Sequence, residues 1–112
     1  MSAKVKTIGD VAVLSVKGNL MGGSETEECH VKIKELIGQG MKKVVVDLSG
    51  AKWVNSRGLG MMIACYTSLK NASGDFKICC ATEKVRSLLT ITKLVTIFET
   101  YDDVNKAVRS FT

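Results

Sequence analysis

Apolar positions along this chain change their period several times, and each change marks an element. Val44, Val45 and Val46 form a β-branched run too short for a helix and suited to a strand buried on both faces. Asp47, Leu48, Ser49 and Gly50 follow as turn residues expected to end that strand. Leu59, Met62, Ile63, Tyr66 and Leu69 then fall at the i, i+3, i+4, i+7 spacing of one helix face. Asn55 or Ser56 can cap this helix, so a serine hydroxyl is expected near the positive end of its dipole.

The flanking segments alternate in the same way. Lys4 to Thr7 and Val11 to Val16 read as short strands joined through Gly9-Asp10, a favoured hairpin turn. Gly18 to Gly23 is a glycine-containing loop. Ser24-Glu25-Thr26-Glu27 then matches a capping box and predicts a helix start near Glu25. Cys29, Ile33, Leu36 and Ile37 give that helix its apolar face, and Gly38 with Gly40 ends it. Phe76 to Ala81 reads as a strand, and Thr82 caps a helix carrying Val85, Leu88 and Leu89. Ile97 and Phe98 suggest a last strand inside the ambiguous stretch from Ile91. Val104, Ala107, Val108 and Phe111 mark a final helix, with Asp102 or Asp103 in its first turn.

This order predicts a single α/β domain over residues 1–112. Its sheet should be mixed and mostly parallel, of four to five strands with an antiparallel edge, packed by about four helices. At 46% hydrophobic residues, the chain can build a core without disulfide staples. No apolar run approaches the ~18–20 residues of a membrane span. MSAKVK has charge but no apolar segment behind it, so no secretory signal and a cytoplasmic protein are expected; separately, a monomer is expected. The four cysteines, Cys29, Cys65, Cys79 and Cys80, contain no C-x-x-C pair, and reduced, buried thiols without a metal are expected.

Charge narrows the partners. The formal net charge is +5, but the basic residues are scattered and the longest basic run is Lys42-Lys43. Aromatic residues are few and not interleaved with them, which argues against direct nucleic-acid binding and for a surface that steers an acidic partner. Enzyme motifs fail on inspection. A nucleophile elbow around Ser56 needs glycine where Val54 stands, and a phosphate loop over Gly18–Gly23 has Ser24 in the lysine position. His30 lies beside Cys29 with nothing adjacent to mark a triad. Asp47 could hold a metal from a strand's carboxyl end, yet it stands without nearby partners in sequence. No catalytic residue, cofactor or metal is expected.

What remains is a hydroxyl at a helix start, and here the chain resembles a known family. DLSGAKWVNSRGLG is similar to the phosphorylation-site segment of STAS-domain anti-sigma factor antagonists. In that family a strand ends in Asp-Leu-Ser, an aromatic and an aliphatic residue follow, and Ser-x-Gly-Leu-Gly opens a helix. Here these are Asp47-Leu48-Ser49, Trp53-Val54 and Ser56-Arg57-Gly58-Leu59-Gly60. The resemblance extends to IGDVAVLSVKGNL and IFETYDDVNKAV. It implies that Ser56 is phosphorylated by an anti-sigma factor that is also a serine kinase, and restored by a phosphoserine phosphatase. Partner contacts are expected at Asp47, Ser49, Trp53, Asn55, Ser56, Arg57, Gly58, Gly60 and Met61; the two glycines allow close approach of a backbone, either the sheet or the partner, Trp53 is a packing anchor or a contact, and Met61, off the main apolar stripe, is core filler or faces the partner. The chain departs from the family where Asn55 replaces a frequent Asp and Arg57 a small residue. A constitutive STAS scaffold in a larger signalling or transport assembly is the alternative, followed by a nucleotide-binding module and a small serine hydrolase.

Overall fold

A computed structural model describes residues 3–112. The elements run β1 (Ala3–Ile8), β2 (Val11–Lys17), α1 (Ser24–Gly38), β3 (Lys43–Gly50), α2 (Ser56–Asn71) and β4 (Asp75–Cys79). They continue with α3 (Glu83–Ile91), a 3-10 turn at Leu94–Thr96, β5 (Glu99–Tyr101) and α4 (Val104–Arg109). The strands lie side by side in chain order; β1 is antiparallel to β2 and all later pairs are parallel. Gly9 takes φ +63° in the hairpin turn, a conformation open to glycine at little cost.

Strand alternation divides the burial between two faces. Ala12, Leu14 and Val16 of β2, Val44, Val46 and Leu48 of β3, and Phe76 and Ile78 of β4 face one core. Cys29, Ile33 and Leu36 of α1, Leu59, Met62, Cys65 and Leu69 of α2, and Val85 and Leu89 of α3 close that side. Val11, Val13, Val45 and Cys79 point the other way, where α4 covers them through Ala107. Both faces of β3 are therefore dry, which is why its valines are consecutive rather than alternating with polar residues. Lys77 shares the α4 face and is buried, but its ammonium is satisfied by the Ser110 hydroxyl at 2.7 Å and stands 4.3 Å from the Phe111 ring centroid.

Several boundaries differ from the sequence expectation, each for a local reason. β3 runs on through the polar residues to Gly50, because Gly50 pairs across to Lys17 and its carbonyl accepts from Gly18 N at 3.1 Å. The capping box at Ser24 does not form. Gly23 is the cap residue without a side-chain bond, and Thr26 Oγ1 accepts from Gly22 N at 2.9 Å instead. The last strand begins at Glu99, after Ile97 and Phe98: Phe98 is spent on the core, against the rings of Phe76 and Tyr66. β4 ends at Cys79, since Cys80 turns into the left-handed region at φ +61°. Phe111 lies just past the end of α4.

Candidate functional site

The parallel strands β2 and β3 deliver two loops to the same edge of the sheet, their carboxyl ends, where α/β proteins of this kind place their sites. The two loops are laced together. Leu20 N donates to Trp53 O at 2.9 Å, Asn55 N returns to Leu20 O at 3.1 Å, and Trp53 N donates to Asn19 Oδ1 at 3.1 Å. Asn55 Nδ2 adds a bond to Met21 O at 3.0 Å. The start of α2 is thus fixed by backbone and amide bonds on both sides.

Asn55 is the helix cap: its Oδ1 accepts from Arg57 N and Gly58 N, both at 3.1 Å. Ser56 is the first helical residue and is exposed, so its hydroxyl stands outside the cap. The first turn of α2 holds no acidic side chain, and the positive end of the dipole is uncompensated. Arg57 is exposed at its charged end, while its stem lies against Gly22, which sits at φ +90° with no room for a β-carbon.

Of the other expected contact residues, Ser49, Trp53 and Gly60 are exposed and Asp47 is half-buried, with Ser49 N donating to Asp47 Oδ1 at 2.9 Å. Two expectations are corrected. Met61 does not face outward; it is buried, with Cys65 Sγ 3.6 Å from its sulfur. Ile63, placed on the core stripe by spacing, is the residue that is exposed. Gly58 is also buried, and the backbone it approaches is Leu20 of the β2–α1 loop, neither the sheet nor a free surface. His30 is half-buried on α1.

Beside Ser56 the surface carries features that periodicity alone does not reveal. Trp53 is 51% exposed, and Lys84 Nζ sits 3.8 Å from its ring centroid. A groove of about 590 Å³ runs from Trp53 along α3 over Val54, Lys84 and Leu88 to Ile91, which is 78% exposed. Lys52 and Lys84 line it together with the acidic Glu83. The exposed Met21 flanks the loop pair from the β2 side. The signal in sequence was faint: an apolar isoleucine at the last position of a short helix, one turn beyond its core face.

On the far side of β3, Asp47 pairs in register with Cys79. Burial holds the Cys79 thiol far above its ordinary value, and Cys80 is raised as well, chiefly by burial. Among the described residues no helix is long and apolar enough to cross a membrane.

Fold and site together define a class: a small α/β binding module whose exposed edge presents a serine at a fixed helix start. The chain belongs to the STAS domain family, whose model matches residues 2–107. It is 27% identical over 106 residues to a Thermotoga maritima protein provisionally named an anti-sigma factor antagonist, covering 91% of this chain and 90% of that one. A crystal structure of an anti-sigma factor antagonist from Mycobacterium paratuberculosis is 25% identical with a TM-score of 0.78, covering 96% of this chain and 91% of that one. The Bacillus cell fate determinant SpoIIAA in its phosphorylated form shares the fold at 15% identity, with a TM-score of 0.76 over 98% of this chain and 99% of that one.

Proposed function

We propose that this chain is an anti-sigma factor antagonist: a binding protein, without catalytic activity of its own, that holds an anti-sigma factor and releases it when Ser56 is phosphorylated. The observation that carries the proposal is the position of Ser56, exposed and outside the cap, on a helix start that the neighbouring loop fixes. The names of the relatives support the partner class. The kinase activity of that partner and the phosphatase that reverses the modification belong to the proposal.

The physics is asymmetric in the direction a switch requires. A phosphate brings about −1.5 to −2 charges at pH 7. On the free protein it meets the uncompensated amino end of α2 and the adjacent Arg57, so the fold is expected to survive. Under a docked partner the same charge is buried without a built counter-ion, at a cost of roughly 3–5 kcal/mol. At about 1.4 kcal/mol per tenfold, affinity falls between about a hundredfold and a few thousandfold.

The test is a comparison of anti-sigma factor binding by wild type, Ser56→Ala and Ser56→Asp. Ser56→Ala is expected to bind like the unmodified protein and Ser56→Asp far more weakly; equal affinity for all three removes the switch. Asn55 and Arg57 favour a second reading, a constitutive STAS scaffold in which Ser56 is never modified. Intact-mass measurement on protein from its native cells separates the two, since a phosphate adds a discrete mass.

A further inference from the structure

The sequence offers Asp47 no ligating neighbour and the cysteine pair no second pair, but the sheet brings them together. Asp47 on β3 stands in register with Cys79 on β4. Successive strand residues ordinarily point to opposite faces, so adjacent cysteines at a strand end should diverge. Cys80 escapes that rule by taking φ +61°, a rare conformation for a residue with a side chain. Its amide is held there by a 3.0 Å bond to Tyr101 O on β5. The result is that its thiol lies 3.3 Å from Cys79 Sγ, and the two sulfurs and an Asp47 oxygen all fall within 4.8 Å of one another.

We propose that Asp47, Cys79 and Cys80 form a binding site for one zinc ion. Zinc is borderline-soft and takes both thiolate sulfur and carboxylate oxygen. In a tetrahedral site with Zn–S near 2.3 Å and Zn–O near 2.1 Å, the ligand atoms stand about 3.8 Å apart for two sulfurs and about 3.6 Å for sulfur and oxygen. The observed spacing needs the two thiols to part by only about half an ångström. Cys79 is buried but Cys80 and Asp47 are half-buried, so an ion has a way in from the edge of the sheet. A second carboxylate, Asp103 before α4, acts electrostatically on both thiols and favours a cation there. Lys77, two residues earlier on the same face, turns its ammonium to Ser110, Glu99 and the Phe111 ring.

Binding replaces two thiol protons, which leave to solvent, by two zinc–sulfur bonds; nothing is oxidised or reduced. Because the ligands come from β3 and from the end of β4, the ion clamps those strands just before the loop that carries Trp53 and Ser56. The folded chain adds Asp47 to the cysteine pair and so binds such an ion more tightly than the unfolded chain does, which raises the melting temperature.

The experiment uses the full chain, kept reduced with a thiol-free reductant and stripped of metal, titrated with Zn²⁺ alone and with Co²⁺ as a spectroscopic probe. One equivalent is expected to bind, with cobalt–thiolate charge-transfer bands and a rise in melting temperature. Cys80→Ser and Asp47→Asn are each expected to weaken binding by more than the roughly 10–100-fold that loss of a group supporting a ligand costs. Cys29→Ala removes a distant thiol and should leave the titration unchanged. Absence of the thiolate bands in the wild type overturns the proposal without any variant. So does binding that survives Cys80→Ser.

Discussion

Gly58 faces the carbonyl oxygen of Leu20 so closely that a β-carbon placed on it would overlap that oxygen. This contact seats the first turn of α2 on the β2–α1 loop, and it explains a helical glycine that otherwise costs about 1 kcal/mol relative to alanine. A β-carbon on Gly60, two residues on, would meet nothing within 4 Å among the described residues beyond its own helix. The same substitution should therefore act in opposite directions at the two positions. Gly58→Ala is expected to destabilise by about 1–3 kcal/mol through overpacking against backbone, which cannot move aside as a side chain does. Gly60→Ala is expected to stabilise by up to about 1 kcal/mol. Denaturant midpoints measured at unchanged slope decide both.

The cap and the candidate phosphosite are adjacent but separable. Asn55 carries two bonds to helix amides and one to Met21 O, whereas the Ser56 hydroxyl lies outside the cap. Asn55→Ala is expected to cost about 1–2 kcal/mol of stability. Ser56→Ala should stay within about 0.5 kcal/mol of wild type, as surface substitutions do. A Ser56→Ala loss as large as that of Asn55→Ala, seen by thermal or urea unfolding, would show that the serine serves the helix rather than a partner.

Much of this architecture is written in the chain's periodicity. The valine run at 44–46 and the stripe through Leu59, Met62 and Leu69 report burial directly, because both consist of side chains that must leave water. Spacing failed where a residue's neighbour is distant in sequence. Ile63 and Met61 exchange their expected faces because α2 is covered by α1 as well as by the sheet, which widens and rotates the buried sector. Leu20 and Met21 define the site loop through backbone atoms, which any side chain could accompany, and Asn19 does so through an amide oxygen whose partner, Trp53 N, is distant in sequence. The clustering of Asp47 with Cys79 depends on strand register, and register between parallel strands is set by the whole sheet.

Two thiols in the main core should make the protein labile in alkali. Burial pushes Cys29 and Cys65 up from an ordinary value of 9.0 to about 12 in each case. Between those values the unfolded chain has lost these protons and the folded chain has kept them. Stability from this source is complete below pH 9.0 and falls as pH rises towards 12. Cys29→Ala is expected to be less stable at neutral pH, because it leaves a cavity, yet to show a shallower decline above pH 9. Urea midpoints taken at a series of pH values give the slope, and parallel curves for variant and wild type would refute the assignment.

The groove beside Ser56 predicts which contacts hold the partner. Trp53 and Ile91 are large apolar side chains left half or more exposed at its two ends, on a scaffold whose other apolar mass is mostly buried. Exposed aromatic anchors at a pocket edge are where binding energy concentrates, commonly 2 kcal/mol or more, or roughly thirtyfold in affinity. In the free protein the same residues contribute little. Trp53→Ala forfeits chiefly the Lys84 contact over its ring, worth about 0.5–1 kcal/mol, and Ile91→Ser is expected to stay within about 0.5 kcal/mol of wild type. Each variant should therefore lose at least about tenfold in affinity for the anti-sigma factor while its unfolding midpoint hardly moves. Calorimetric titration against that partner, run beside urea unfolding of each variant, measures the two effects separately. Affinity that holds while only stability drops would mean that α3 faces away from the docked partner, and that contact is confined to Ser56 and the loop from Met21.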